Sequence, residues 1–360
     1  MTQFIQFHLL TAYPPANLNR DDTGRPKTAV FGGVERMRIS SQSLKRAWRT
    51  SAVFEEVLAG RVCKRTQRIG KEVEDHLLSK GVDAAKARAA ARAIASVFGK
   101  VKPDSDSEPN PTFTEQLVFV APEERARALE LAEQYAAGDL TELKTDAILV
   151  RTDQAADIAM FGRMLADSPS FNRDAAVQVA HAITTHKIAV EDDYYVAVDD
   201  LKDSATREDA GTSFIGVQEF GAGLFYTYIC VDTDLLVRNL GGDTGLARDA
   251  VAALITSAAT VAPKGKQTSY ASRAYASYIR AEVGKAQPRS LAAAFLRPIE
   301  QKSKDPAISS VEKLEAHAEK LAKAYGEIGL NTSVMNMTGD DVIGTLEDIV
   351  TFARDGVKAP

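Results

Sequence analysis

Apolar residues recur at two different spacings along this chain, and the two spacings predict two kinds of element. Segments rich in aromatic and β-branched residues, with apolar side chains at alternate positions, predict strands. These segments are residues 3–12, 34–39, 176–189, 211–231 and 274–283. We expect Pro14 and Pro15 to end the first strand, because proline donates no ladder hydrogen bond.

Apolar residues three and four positions apart predict helices. We expect helices near residues 41–51, 70–80, 83–99, 122–137, 152–165, 246–262, 306–325 and 338–354. Four of them fall in a block rich in Ala, Arg, Lys and Glu, which also contains an exposed and mobile loop at Lys102–Pro111. This order of elements predicts the α+β class, as a ferredoxin-like sheet interrupted twice, with the helical block inserted.

The helix that begins near Ser41 is expected to have one apolar and one cationic face. Ser40 or Ser41 is a good N-cap, and Leu44 and Trp48 share an apolar stripe. The opposite face carries Gln42, Lys45, Arg46 and Arg49. A solvated surface would explain such a row, but no acids are interleaved with it.

Charge sharpens this interpretation, because the chain has a net charge of −5 while residues 17–51 hold eight Lys or Arg and only three acids. A basic patch on an acidic protein favours a polyanionic partner.

No apolar run is long enough to span a membrane, and the first residues lack the features of a secretion signal, so we expect a cytoplasmic protein. Cys63 and Cys230 are too isolated for a disulfide framework and are expected to be buried.

Catalytic signatures are absent from the sequence. No nucleophile elbow, Walker A loop or HExxH motif is present, and His181 and His186 do not have a recognised metal-ligand spacing. The strongest catalytic candidate is the pair Asp21 and Asp22, which could hold a metal for phosphodiester cleavage. Alternatively, these acids brace neighbouring cations.

The residues that nucleic acid would need are present. Backbone phosphates require cations and polar donors along a groove, and single strands require side chains that stack on bases or wedge between them. The first group is Arg20, Lys27, Gln42, Lys45, Arg49 and Lys266, and the second is Met164, Tyr194 and Tyr195. No RNP1 aromatic motif is present, so base-specific readout on the sheet is not expected.

The stretch at residues 191–210 is acidic, with eight Asp or Glu against Lys202 and Arg207. Aromatic residues interrupt these acids, and a Gly-rich return follows, which predicts a hairpin projecting from the sheet. A solvated charge run or a divalent-cation site would also explain the acids. Asp199 and Asp200 are among these acids.

Several motifs together resemble one family. NLNRDD, AVFGG followed by RISSQSLKRA, HAITTH, AVDDL and QEF stand in the order found in the type I-E CRISPR Cascade backbone subunit, the CasC family. The resemblance implies a hand-like fold with an RRM-like (ferredoxin-like) palm, an inserted helical fingers domain and a β-hairpin thumb. The implied boundaries are residues 1–58, 176–190 and 225–360 for the palm, 59–175 for the fingers and 191–224 for the thumb.

The resemblance also implies roles for individual residues. Contacts to the guide backbone would come from Lys27, Gln42, Lys45 and Arg49, and Lys266 matches a basic loop position of the family. Charge and position, apart from the resemblance, add Arg20 and Arg46 to the expected contacts. At position 49 the family usually has Lys, so Arg49 keeps the charge with a different contact geometry. Met164 in FGRML, with Arg163 beside it, would be the wedge that kinks the RNA. Tyr195 falls where the thumb of the family has an aromatic residue, and we expect its neighbours Tyr194 and Val196 to join it on the bases. In a head-to-tail filament, the acidic thumb residues Asp199 and Asp200 could reach the basic surface of the next copy.

The function implied is non-catalytic. Copies of the chain would polymerise along one CRISPR guide RNA and leave it exposed to pair with a target DNA strand, so that specificity comes from base pairing. The other partners would be the large, small, 5′-end and 3′-end capping subunits of Cascade, with no membrane and no cofactor. The alternative is a metal-dependent endoribonuclease that cleaves target RNA with Asp21 or Asp22, as related type III backbone subunits do.

Overall fold

In the computed structural model, a large antiparallel sheet carries helices on both faces. The structure describes residues 2–105, 107–152, 154–197, 214–300, 305–326 and 329–359. The strands are β1 (Phe4–Ala16), β2 (Thr28–Phe31), β3 (Val34–Ile39), β4 (Lys64–Thr66), β5 (Val118–Val120), β6 (Val177–Val179), β7 (Ala182–Thr184), β8 (Glu191–Ala197), β9 (Phe214–Asp232), β10 (Ala276–Gly284) and β11 (Asn331–Asn336). The helices are α1 (Ser41–Arg49), α2 (Ala52–Val57), α3 (Ile69–Ser79), α4 (Ala84–Phe98), α5 (Pro122–Ala137), α6 (Thr145–Ile148), α7 (Ala156–Phe161), α8 (Thr233–Asn239), α9 (Thr244–Thr260), α10 (Gln267–Tyr270), α11 (Pro306–Tyr325) and α12 (Leu346–Asp355).

Nine of these strands form one sheet in the order β11-β10-β1-β9-β7-β3-β2, with β6 and β8 also paired to β9. All the pairings are antiparallel, so the α+β class predicted from the sequence is confirmed. The remaining two strands, β4 and β5, pair with each other as a separate ribbon. Among the described residues, no helix combines the length and apolar character that a membrane span requires.

Strand β1 is buried on both faces, which explains why its apolar residues run nearly without interruption. Ile5, Phe7 and Leu9 pack on one side in the main core, with α9 and α12. Leu10 faces the other side, in a second core that includes Phe295 of a 3₁₀ turn and residues of α11. Helices therefore cover both faces of the sheet centre.

A third core belongs to the helical segment, which we define as residues 64–171. Its helix α4 presents a stripe of small side chains, Ala87, Ala90, Ala91 and Ala95, all fully buried. Gly70 allows equally close packing at the start of α3, because a Cβ there would stand 2.0 Å from the carbonyl oxygen of Thr112. The helical insertion predicted from the sequence therefore has its own packed interior.

The prediction that Pro14 and Pro15 end the first strand is wrong. Strand β1 continues to Ala16, with a register shift against β9 between Tyr13 and Ala16. The two prolines lie in this irregularity, where no backbone hydrogen bond to β9 requires an N–H group from them.

The strand predicted at residues 176–189 is interrupted. Both β6 and β7 pair with β9, but Val179 pairs with Ile229 while Ile183 pairs with Tyr226. The chain between them is one residue longer than the facing part of β9, so a bulge separates the two strands.

Two predicted helices are shorter than expected. Helix α7 ends at Phe161, because Gly162 has a left-handed φ of 81°. Residues 338–354 contain only α12, with β11 before them. Strands β2, β4, β5 and β11 and helices α2, α6, α8 and α10 were not predicted. The described residues of Lys102–Pro111 form no helix or strand, as expected of a loop.

Candidate nucleic-acid interface

Helix α1 has the two faces that its sequence predicts. The Ser40 hydroxyl accepts a hydrogen bond from the Ser43 backbone N–H at 3.3 Å and so caps the helix. Leu44 and Trp48 are buried in the main core. The helix is therefore fixed by its apolar stripe, while Gln42 and Arg46, among others, remain exposed on the opposite face.

Lys45 links α1 to the segment that carries the predicted wedge. Its Nζ lies 5.5 Å from the centroid of the Phe161 ring, and partial burial lowers the pKa of Lys45. Three residues after Phe161, the Met164 side chain is 80% exposed. A cation and a large exposed apolar side chain thus stand on neighbouring parts of the surface, as a contact to both phosphate and base would require.

Arg49 does not lie on the open face where the sequence places it. Only 13% of its side chain is exposed, and Nη1 lies 3.2 Å from Asp157 Oδ2 and 3.3 Å from the Cys63 carbonyl oxygen. Burial raises the pKa of Asp157, while hydrogen bonds from Cys63 and the charge of Arg49 oppose that rise. Because the buried carboxylate needs a cation, Arg49 turns inward and joins α1 to Asp157 of α7 and to the backbone of Cys63.

Arg163, predicted as an RNA contact, is also turned inward. Its Nη1 donates to Glu124 Oε2 at 2.7 Å, and neither side chain is exposed. The backbone around Arg163 is extended and bridges to Arg173, so neighbouring side chains point in opposite directions. Arg163 therefore faces the interior while Met164 faces solvent.

A cleft of about 400 Å³ lies beside α1. Its lining includes three cations, Arg20, Arg46 and Lys264, all exposed. Lys264 was not predicted as a contact, although it stands in the same PKGKQ loop as Lys266. Asp21 also lines the cleft, but the three cations outnumber it and suit a phosphate group better than a neutral ligand.

The PKGKQ loop has a constrained backbone. Lys266 has a φ of 51°, a left-handed conformation that costs a non-glycine residue roughly 1–2 kcal/mol. Gly265 packs so closely that a Cβ there would stand 2.2 Å from the carbonyl oxygen of Leu18. The loop is therefore held against the start of the basic region, with Lys266 partly buried beside it.

The loop at residues 17–27 is organised by Asp21. Its Oδ1 accepts hydrogen bonds from the Thr23 and Arg25 backbone N–H groups, both at 2.9 Å, and from the Thr23 hydroxyl at 2.8 Å. The hydroxyl bond from Thr23 is the main cause of the lowered pKa of Asp21. Lys27 is half-buried nearby, with its backbone bonded to Asn19 and Arg38.

These contacts give Asp21 a structural role of its own. Asp22 beside it is exposed. Within the described ranges, no three His, Cys, Asp or Glu side chains lie close enough together to hold a metal ion. His181 and His186 are engaged separately, by Arg38 and by the Leu224 backbone N–H.

The predicted hairpin is present in its two arms, β8 and β9. The side chains of Tyr194, Tyr195 and Val196 are 62%, 37% and 44% exposed. Tyr195 pairs with Gly216, where a Cβ would stand 2.4 Å from the Tyr195 ring, so glycine lets the ring lie across the facing strand. Residues 198–213, which include Asp199 and Asp200, lie outside the described residues.

The base of the hairpin is tied to the basic loop. Arg25 Nε donates to Glu219 Oε2 at 2.6 Å, and the Asn17 amide donates to the Glu219 carbonyl oxygen at 2.9 Å. The structure thus brings together some, but not all, of the predicted contact residues. The basic loop, α1, the PKGKQ loop and the hairpin base adjoin one another, whereas Arg49 and Arg163 are used inside the fold.

Comparison with known proteins agrees with this architecture. The family model described as CT1975-like protein matches residues 5–352, so the chain belongs to that family. A solved chain of a "CRISPR RNA-guided surveillance complex, pre-nicking" is 30% identical, with a TM-score of 0.85, covering 98% of this chain and 100% of the other. A chain of another "CRISPR RNA-guided surveillance complex" is 28% identical, with a TM-score of 0.70, covering 97% and 100%. A search of curated proteins gives no match. The resemblance to a Cascade backbone subunit is confirmed.

Proposed function

We propose that this chain is a non-catalytic, CRISPR RNA-binding backbone subunit of a Cascade surveillance complex. The observation that carries the proposal is the cationic surface of α1 and the adjoining cleft on an acidic protein. Arg46 is exposed, Lys45 is held at the edge of the Phe161 ring, and Arg20 and Lys264 line the cleft. Phosphates attract such an array whatever the base sequence, as a subunit that must accept any guide requires.

The hand-like organisation is part of the same proposal. The strand order β10-β1-β9-β7, with helices connecting β1 to β7 and β9 to β10, supports a ferredoxin-like palm. The helical segment, with its own core, would be the fingers, and the β8–β9 hairpin would be the thumb. Several copies would assemble head to tail along one guide, together with the other Cascade subunits.

Each copy would hold the guide by its backbone and interrupt base stacking at one point. Gln42, Lys45 and Arg46 would contact phosphates, and Met164 would insert between bases beside them. Tyr194 is exposed enough to stack on an unstacked base. The bases between these points would stay free to pair with a target DNA strand.

The endoribonuclease alternative receives no specific support from the geometry. Asp21 accepts three hydrogen bonds that close its own turn, which favours a structural role over metal binding, although none of the three comes from the side chain of a neighbouring cation. Incubating the purified complex with complementary RNA and Mn²⁺ tests this directly. Cleavage that Asp21→Asn or Asp22→Asn abolishes would overturn the non-catalytic assignment.

The binding proposal is tested with Lys45→Ala combined with Arg46→Ala. We expect weaker binding of every RNA sequence tried, and a salt dependence flatter by roughly one to two units. A matched control removes Lys80 and Arg127, two exposed cations of the helical segment that are already paired with Glu133 and Glu123. Both doubles change the net charge equally. An α1 double that binds like the wild type, with the same salt slope, would refute the assignment.

A further inference from the structure

A second run of cations lies outside the residues assigned above. Residues 58–71 contain Arg61, Lys64, Arg65, Arg68 and Lys71 and no acid. Three of them, Lys64, Arg65 and Arg68, are exposed, and none has a carboxylate within 4 Å among the described residues. We call these three residues the β4 strip, because two of them lie on β4 and the third follows it.

Many other cations of the helical segment are paired, although exposed Lys86, Lys144 and Arg151 also have no carboxylate within 4 Å among the described residues. Each of the following exposed or half-exposed cations is paired with an acid: Lys71 with Asp75, Lys80 with Glu133, Lys100 with Glu115, Lys102 with Glu108, Arg125 with Glu72 and Arg127 with Glu123. Acids are therefore abundant on this segment. Because no acid lies within 4 Å of the β4 strip among the described residues, the strip creates a local positive potential on a chain that is acidic overall.

Aromatic rings hold the guanidinium groups of the strip in place. Arg65 faces Phe119 across the β4–β5 pairing, with its Cζ 5.5 Å from the ring centroid. Arg68 lies 5.6 Å from the ring centroid of Phe113. A guanidinium fixed over a ring loses less side-chain freedom when it binds a phosphate, and its open face can stack on a base.

The β4 strip is continuous with α1. Arg49, at the end of α1, has its Cζ 5.7 Å from the same Phe119 ring that Arg65 covers. The buried contact of Arg49 with Asp157 therefore joins two exposed cationic surfaces, one on α1 and one on β4. A polyanion lying on α1 can therefore continue past Phe119 onto the strip.

We propose that the β4 strip binds the phosphodiester backbone of a single-stranded nucleic acid and extends the α1 interface onto the helical segment. This inference rests on the proposed function, since it names a further surface for the same class of partner. The strand is guide RNA or the DNA strand that pairs with it, because both present the same phosphates. The strip contributes charge and stacking and reads no base edges.

The experiment compares two triple variants of the full-length chain. One is Lys64→Ala, Arg65→Ala and Arg68→Ala, and the matched control is Lys71→Ala, Lys80→Ala and Arg127→Ala. Both remove three positive charges, but the control cations are already paired. Fluorescence anisotropy measures the binding of single-stranded RNA and single-stranded DNA of one sequence at several salt concentrations. Circular dichroism melting checks that each variant is folded, and Arg65→Glu alone serves as a second strip variant.

We expect the strip triple to bind roughly fivefold or more weakly, with a salt slope reduced by about two units, since each lost phosphate contact removes about 0.7. The control should stay within about twofold of the wild type. An effect confined to DNA would assign the strip to the target strand, and an effect on RNA would assign it to the guide. If the strip triple and Arg65→Glu bind like the control while the α1 double is weakened, the inference is wrong and the proposed function stands. A wild-type chain that binds no RNA overturns both.

Discussion

Arg163, inside the helical segment, and Arg46, on the open face of α1, place the same guanidinium group in opposite surroundings. Arg163 is fully buried and bonded to Glu124, which also accepts the backbone N–H groups of Ala121 and Val150. Arg46 is exposed at the edge of the cleft. A buried ion must be neutralised inside the fold, whereas an exposed one remains available to a partner. Burial, more than residue type, therefore separates structural arginines from candidate contacts.

The largest expected effect comes from breaking the buried pair. In Glu124→Gln, the Arg163 charge stays buried without a counter-charge, so we expect the free energy of unfolding to fall by about 3–5 kcal/mol. The neighbouring Glu123→Gln disrupts only the exposed pair with Arg127 and should cost about 0.5 kcal/mol or less. Urea denaturation measures both. Equal effects of the two substitutions would contradict the distinction drawn here.

Arg49 tests the intermediate case, because it was expected on the open face and lies mostly inside. Arg49→Ala leaves the Asp157 carboxylate with only its hydrogen bonds from Cys63, and we expect a loss of about 1–3 kcal/mol in unfolding free energy. Arg46→Ala, one turn away and exposed, should change stability by less than about 0.5 kcal/mol. Thermal melting of the two single variants compares them. If Arg49→Ala were as stable as Arg46→Ala, the contact of Arg49 with Asp157 would not stabilise the fold, and Arg49 would be available to a partner.

A second cluster of buried charges lies on the sheet, and its ions are also neutralised inside the fold. Glu282 accepts a hydrogen bond from Arg280 at 2.8 Å and another from Arg289, and it lies 3.5 Å from His8 Nε2. Burial acts to raise the pKa of Glu282, but its bonds to His8 and the two arginines outweigh burial and lower it. His8 is fully buried, and burial lowers its pKa despite the attraction of Glu282.

The lowered pKa of His8 predicts a pH dependence of stability. Below about pH 6.5 the unfolded chain binds a proton that folded His8 does not. The free energy of unfolding should therefore decrease as the pH is lowered. The slope from this group is at most about 1.4 kcal/mol per pH unit and ends once folded His8 also titrates. His8→Asn should flatten the profile between pH 7 and 5, whereas replacing the exposed His181 should change it less. An unaltered profile in His8→Asn would assign the dependence to other groups.

The elements predicted from sequence were those with a strong local signal. Helix α1 was predicted with its cap and buried face, because serine caps and a 3.6-residue stripe are local properties. Strands β4 and β5 are three residues long and depend on each other for their hydrogen bonds. No periodicity marks so short a strand, so the ribbon that carries the β4 strip could not be predicted.

The inward turn of Arg49 and Arg163 was equally beyond a sequence argument. Their partners Asp157 and Glu124 lie 108 and 39 residues away along the chain. Helical spacing assigns Arg49 to the polar face but does not show which tertiary neighbour covers that face. The exposed cation Arg46 was predicted as a candidate, since a local excess of charge without acids survives folding unless a distant acid reaches it, and the same argument would have included Lys264.

Arg65 is also expected to contribute little to stability, and it separates the buried arginines from the exposed ones most sharply. Arg65 has an aromatic neighbour, Phe119, but no acid within 4 Å among the described residues, and an exposed cation–π contact contributes roughly 0.5–1 kcal/mol. Arg65→Ala should therefore change the free energy of unfolding by about 1 kcal/mol at most, although it removes a full charge. Arg65→Lys keeps the charge and loses the planar guanidinium, so it should retain much of the salt dependence of RNA binding while lowering affinity. Denaturation and anisotropy titrations on the same two variants give both quantities. A loss of 3 kcal/mol or more in Arg65→Ala would show that an exposed arginine over a ring is as structural as the buried Arg163, and burial would then no longer distinguish the two classes.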